Sequence, residues 1–166
     1  MSRPLTPEEL CSLIDSHFST LVLFARQWSK DAAEDLVQDA FLQLVKRSPW
    51  EGRPEKPVAW LFQVVRNAAI DRHRKESRRQ RHEENAVGQR SAWFETPPDA
   101  AFRTEEIEMM LESLDPEKRE IVVARIWGGL TFDEIADLLG MSRTTVYRHY
   151  TEALQSMKKR YGNEEN

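Results

Sequence analysis

The sequence predicts an all-α protein of two small helical domains joined by a flexible linker. Three observations point there. Apolar residues recur at helical spacing through most of the chain, and no strand-like alternation appears. Threonine, aspartate or serine, followed by proline or glutamate, marks successive helix starts. Between residues 85 and 101 the periodicity fades around Gly88 and Thr96-Pro97-Pro98-Asp99. That linker separates a domain over residues 5–84 from one over residues 102–161.

Thr6-Pro7-Glu8-Glu9 opens the first helix: Thr6 caps, Pro7 suits the first turn, and Glu9 completes a capping box. Leu10, Leu13, Ile14, Phe18, Leu21, Val22 and Ala25 form its stripe, and its end is expected near Trp28-Ser29-Lys30. Asp31 is expected to cap a second helix from Ala32 to Arg47. Leu36, Val37, Ala40, Phe41, Leu44 and Val45 give it an apolar stripe. Glu34, Asp35, Gln38, Asp39 and Gln43 lie opposite, and taken alone that face reads as solvated surface. Pro49, Gly52, Pro54 and Pro57 make a loop of Ser48 to Pro57, and Pro57 starts a third helix running to about Glu84. The third helix begins apolar, with Leu61, Val64, Val65 and Ala68, and ends basic, with Arg72, Arg74, Lys75, Arg78, Arg79 and Arg81. One end suits a core and the other a polyanion.

In the second domain Ile107, Met110, Leu111 and Leu114 share one helical stripe. Asp115-Pro116 stops it and starts another helix, which Ile121, Val122, Ala124, Arg125 and Ile126 carry to Gly128-Gly129. Thr131-Phe132-Asp133-Glu134 is a capping box opening a short helix through Leu139. Gly140-Met141-Ser142 is a turn, and Ser142 caps a last helix to about Arg160. This is the shape of a helix-turn-helix, closed by Ile135, Ala136, Leu139, Met141, Val146 and Tyr150. Arg143, Thr144, Tyr147 and Arg148 then occupy the face that meets base edges in a major groove. Thr131, Ser142, Thr145 and His149 are placed for phosphates, with Lys158, Lys159 and Arg160 as further electrostatic contacts.

The formal net charge of the 166 residues is −4, yet the basic residues cluster in two stretches, Arg66 to Arg81 and Arg143 to Arg160. Distribution, not sum, is what a nucleic acid meets. Cys11 is the single cysteine, which points to a reducing compartment, and it reads as a small packed residue. No signal core or membrane-length apolar run is present, so a cytoplasmic protein without membrane insertion is expected. His17, His73, His82 and His149 are scattered, and no nucleophile or phosphate-loop motif appears. No catalytic residue, metal or cofactor is expected, and the chain does not read as an enzyme.

Three segments carry a family resemblance: Ala33 to Leu42, Ala59 to Arg74, and, in the second domain, Leu114 to Pro116 with Gly129 to Val146. In order and spacing the chain resembles regions 2 and 4 of bacterial RNA polymerase sigma factors of the extracytoplasmic-function (ECF) group of the sigma-70 family. The resemblance implies that Asp35, Gln38, Asp39 and Leu42 dock on the clamp helices of the largest subunit of core RNA polymerase. It implies that the Ser48–Lys56 loop and the third helix meet the −10 element of promoter DNA, the loop holding a flipped base. Gln63, Asn67, Ile70 and Arg74 share one face by spacing, and Asn67 is the best base reader, because an amide both donates and accepts. Arg66, Arg72, Lys75, Arg78 and Arg79 are phosphate candidates. Trp60 and Phe62 either stack on melted bases or belong to the core. The linker, with Trp93 and Phe94, is expected toward the RNA exit path. The resemblance also implies a sigma factor's role in promoter-specific initiation and duplex opening, and, with no extra domain recognised after Asn166, a separate anti-sigma factor. Tyr147 and Arg148 depart from the family's usual lysine or serine, so the −35 sequence is not carried over. A free-standing helix-turn-helix regulator would need an apolar dimer seam, and the Glu34–Asp39 face is not one.

Overall fold

In the computed structural model, residues 3–47, 51–82 and 104–162 are described, and among them there is helix, turn and loop but no strand. The chain forms two compact units, Met1–Trp93 and Phe94–Asn166, and each is described by itself. The predicted linker, with Trp93 and Phe94, and Ser48, Pro49 and Trp50 of the loop lie outside the described residues.

The first unit packs three helices against one another: α1 (Pro7–Ala25), α2 (Ala33–Lys46) and α3 (Pro57–His82). The capping box forms as the sequence predicts. The Glu9 amide donates to Thr6 Oγ1 at 3.2 Å, and the Thr6 amide donates to Glu9 Oε2 at 2.9 Å. Leu21, Phe24, Val37, Ala40, Leu61, Phe62, Val65 and Ala69 are fully buried. Phe24 is the aromatic hub, edge-on to Phe62 at 4.9 Å and to Trp28 at 5.2 Å. Such pairs add about 0.5–1.5 kcal/mol to the area they bury.

Four local expectations are corrected. α1 ends at Ala25, not near Trp28, because the chain turns there to bring the Trp28 ring onto Phe24. Asp31 caps nothing. Ala32 is the N-cap of α2 and makes no side-chain cap bond. Ala32 and Ala33 are both buried, so packing fixes where α2 begins. Val45 and Cys11 are exposed and belong to no core.

The second unit contains α4 (Thr104–Glu112), α5 (Pro116–Val122), α6 (Phe132–Leu139) and α7 (Arg143–Tyr161). The helix predicted to run unbroken to Gly128 instead widens after Val122 into a π-turn, Val123–Trp127. The wider turn rotates the residues after it. Val123 and Ala124 stay buried, while Ile126 is 47 % and Trp127 36 % exposed. Arg125 swings under the next helix. Its Nη1 donates to the Leu130 carbonyl at 2.8 Å, and its guanidinium lies 4.5 Å from the centre of the Phe132 ring. Asp115 makes no side-chain cap bond. Arg119 supplies the missing order by donating to the carbonyls of Leu111, Glu112 and Leu114 at the end of α4. The helix-turn-helix core is Ile135, Ala136, Leu138, Val146 and Ala153. Leu139, Met141 and Tyr150 are only half-buried. Gly140 adopts φ 64°, the left-handed conformation the turn requires.

Candidate functional site

The helix-turn-helix is built by two caps. Thr131 Oγ1 accepts from the Glu134 amide at 3.2 Å, and Ser142 Oγ accepts from the Thr145 amide at 3.1 Å. Ser142 Oγ also lies 2.8 Å from Thr145 Oγ1. These oxygens accept from the backbone, which leaves the Thr131 hydroxyl proton and one proton of the Ser142–Thr145 pair to donate to a phosphate. Arg143, Thr144, Tyr147 and Arg148 all stand exposed on the outward face of α7. Arg143 sits at the first helical position, where the positive end of the helix dipole disfavours a cation. Asp133 offsets that, with its Oδ1 3.6 Å from Arg143 Nε. The arrangement presents donors at a helix N-terminus, which is suited to anions and base acceptors.

His149 does not join this face. Its Nδ1 is buried without a hydrogen-bond partner and lies 3.9 Å from Glu117 Oε2 on α5. The sequence reading also missed Phe132, which sits against both Tyr147 and Tyr150 at 5.4 and 5.3 Å. An apolar ring at the first position of a capped helix was its only signal.

In the first unit, Gln63 Nε2 donates to Asn67 Oδ1 at 2.9 Å. One turn of α3 thus holds the amide pair in a fixed orientation. Asn67 is exposed, whereas Gln63, Arg66 and Ile70 are half-buried. Arg72, Arg74, Lys75, Arg78, Arg79 and Arg81 are exposed along the outer end of α3. Arg72 pairs with Glu76 at 3.1 Å. His73 Nδ1 lies 3.1 Å from the Trp28 carbonyl, tying the basic end of α3 to the turn that follows α1. Phe62 is fully buried, which assigns it to the core. Trp60 is half-buried with the Arg47 guanidinium 5.2 Å over its ring. Arg47 in turn donates to the Gly52 carbonyl at 3.0 Å, so α2, the loop and α3 meet at Trp60.

On α2, Asp35, Gln38 and Asp39 are exposed, and Leu42, in line with them, is 51 % exposed. Among the described residues no helix is long and apolar enough to cross a membrane.

A bundle with a cationic helix, joined in one chain to a helix-turn-helix, defines a DNA-reading protein of the sigma class. Comparison with known proteins agrees: Sigma-70 region 2 matches residues 13–79 and Sigma-70 region 4 matches residues 104–157. The ECF RNA polymerase sigma factor SigL of Mycobacterium tuberculosis is 30% identical over 153 residues, covering 89% of this chain and 85% of SigL. The sigma factor RpoE of Bartonella quintana, solved with the anti-sigma factor NepR, superposes with a TM-score of 0.73. That match covers 93% of this chain and 96% of RpoE at 21% identity. CnrH, solved with the cytosolic domain of CnrY, gives 0.55 over 97% of this chain and 92% of CnrH at 22% identity. At those identities the two structures support the fold alone. The chain belongs to the ECF sigma factors of the sigma-70 family. It is a sigma factor that directs promoter-specific transcription. Sigma factors are initiation factors rather than enzymes.

Proposed function

We propose that residues 5–84 bind core RNA polymerase and the −10 element, and that residues 102–161 bind the −35 element. The observation that carries the polymerase half is Leu42, with half its surface in water beside Asp35, Gln38 and Asp39. A docking face places an apolar anchor inside a polar rim, and Leu42 stands that way in line with Asp35, Gln38 and Asp39. The clamp helices of the largest subunit are the partner, and their basic groups meet Asp35 and Asp39.

On α3, Asn67 reads a −10 base while Gln63 orients its amide. Ile70 lines the same strip, and Arg66, Arg72, Arg74 and Lys75 follow phosphates. On α7, Arg143, Thr144, Tyr147 and Arg148 face −35 base edges, and Thr131, Ser142 and Thr145 meet the backbone. His149 is left out of the DNA contacts, since it packs beside Glu117 of α5. The factor acts in the cytoplasm with the polymerase. An anti-sigma factor holds it in reserve, as the complexed states of RpoE and CnrH suggest.

Photo-cross-linking from positions 67 and 143, in complexes of the full chain with core polymerase and promoter DNA, tests the assignment. Position 67 is expected to mark the −10 region and position 143 the −35 region. Exchange of the two, or cross-links confined to one end, would overturn it.

A further inference from the structure

Tyr147 stands on the outward face of α7, yet its ring is not loose. It is 56 % exposed, and its inner flank meets Phe132 at 5.4 Å with the rings at 83°. Phe132 is itself held on two further sides. Tyr150 packs at 5.3 Å, and the Arg125 guanidinium lies 4.5 Å from its ring centre. Arg125 is tied by its 2.8 Å bond to the Leu130 carbonyl, an arrangement that the π-turn Val123–Trp127 makes possible. Residue 147 therefore belongs to a braced stack running from the π-turn to the surface of α7, and the stack ends in an aromatic ring open on its outer side.

A fixed, largely apolar surface at that position has one natural complement in a major groove, the 5-methyl group of thymine, because the other base edges there offer only donors and acceptors. We infer that Tyr147 reads a thymine methyl in the −35 element and that Phe132 is the residue positioning it. This rests on the proposed −35 role of α7. The tyrosine hydroxyl is not needed for such a contact, and the ring's fixed angle is. Thr144 also carries a methyl group on this face and is the competing reader.

The test starts from holoenzyme, the full chain with core polymerase, selecting from promoter DNA randomised across the −35 region. Each thymine of the selected element is then replaced singly by deoxyuridine, which removes only the methyl. One replacement is expected to weaken binding ~fourfold, the worth of burying one methyl group. The effect should vanish in Tyr147→Ala and persist in Tyr147→Phe. Phe132→Ala should abolish it while the preference at the Arg143 position stays, and Phe132→Tyr should restore it. An element without thymine, indifference to every deoxyuridine, or a methyl effect that survives Tyr147→Ala would overturn the inference alone. A selection that enriches no sequence at all would remove the −35 reading itself.

Discussion

Arg143 Nε lies 3.6 Å from Asp133 Oδ1, across the turn that joins α6 to α7. Both side chains are about two-thirds exposed, so the pair stabilises the fold by at most about 1 kcal/mol. Its consequence lies in recognition. In the proposed −35 role, Arg143 reaches a guanine only after DNA displaces this aspartate. Asp133→Ala should therefore raise promoter affinity up to about fivefold. Arg143→Ala should cost about 1–3 kcal/mol at one −35 position. Binding titrations on single-base promoter variants check both. Equal losses on every sequence would make Arg143 a phosphate contact.

In the proposed −10 role of α3, the Gln63–Asn67 pair carries specificity and the basic residues after it carry affinity. Asn67→Ala should flatten preference at one −10 position by about 1–3 kcal/mol. Arg74→Ala with Lys75→Ala should weaken all promoters alike and reduce the slope of log affinity against log salt by about 2. Salt titration of the four combinations reads the difference.

Asp35→Arg with Asp39→Arg should abolish binding to core polymerase and lower stability by no more than about 1–2 kcal/mol, because both side chains are exposed and Asp35 gives up only a favourable place in the first turn of α2. Affinity measured with purified core, beside thermal unfolding, tests this. Unchanged affinity would place the docking face elsewhere.

Arg119 closes the end of α4 with bonds of 2.9 to 3.2 Å to three carbonyls. Burial lowers its pKa, but the group stays charged at any physiological pH. Arg119→Ala should destabilise the second unit by about 2 kcal/mol. Arg119→Lys should rescue little, since an ammonium cannot reproduce the fork. Chemical denaturation is the measurement.

His17 sets a pH limit on the first unit. Desolvation lowers its pKa below 6.5, and its Nδ1 is buried without a hydrogen-bond partner. Well above pH 6.5 the group is neutral whether the chain is folded or not. Below that, the unfolded chain takes up the proton first, so stability declines as pH falls toward the folded value. Glu9 follows the same sign lower down. The Thr6 backbone amide, with Arg3 and Arg53, holds its pKa under 4.5. Urea midpoints should fall between pH 7.5 and 5.5, and His17→Gln should remove that fall.

The helix order, the helix-turn-helix caps and the exposed acidic–amide face of α2 were legible because each follows from local spacing or a cap. What escaped was set by contacts distant in sequence. Asp31 looked like a cap, but the burial of Ala32 and Ala33 decided where α2 starts. The stretch from Ile121 to Ile126 read as one helical stripe, yet the π-turn sent Ile126 to the surface and Arg125 beneath Phe132. His149 had the right spacing for a phosphate contact, but it packs beside Glu117. Spacing along one helix cannot reveal which neighbouring helix covers it.

Transcription across sheared genomic DNA, with core polymerase in the presence and absence of this chain and with 5′ ends mapped, tests the central claim most directly. New start sites should appear only with the chain present. They should share −35 and −10 elements at a fixed spacing and disappear with Asp35→Arg/Asp39→Arg. An unchanged set of start sites, or new ones without a common upstream element, would contradict it.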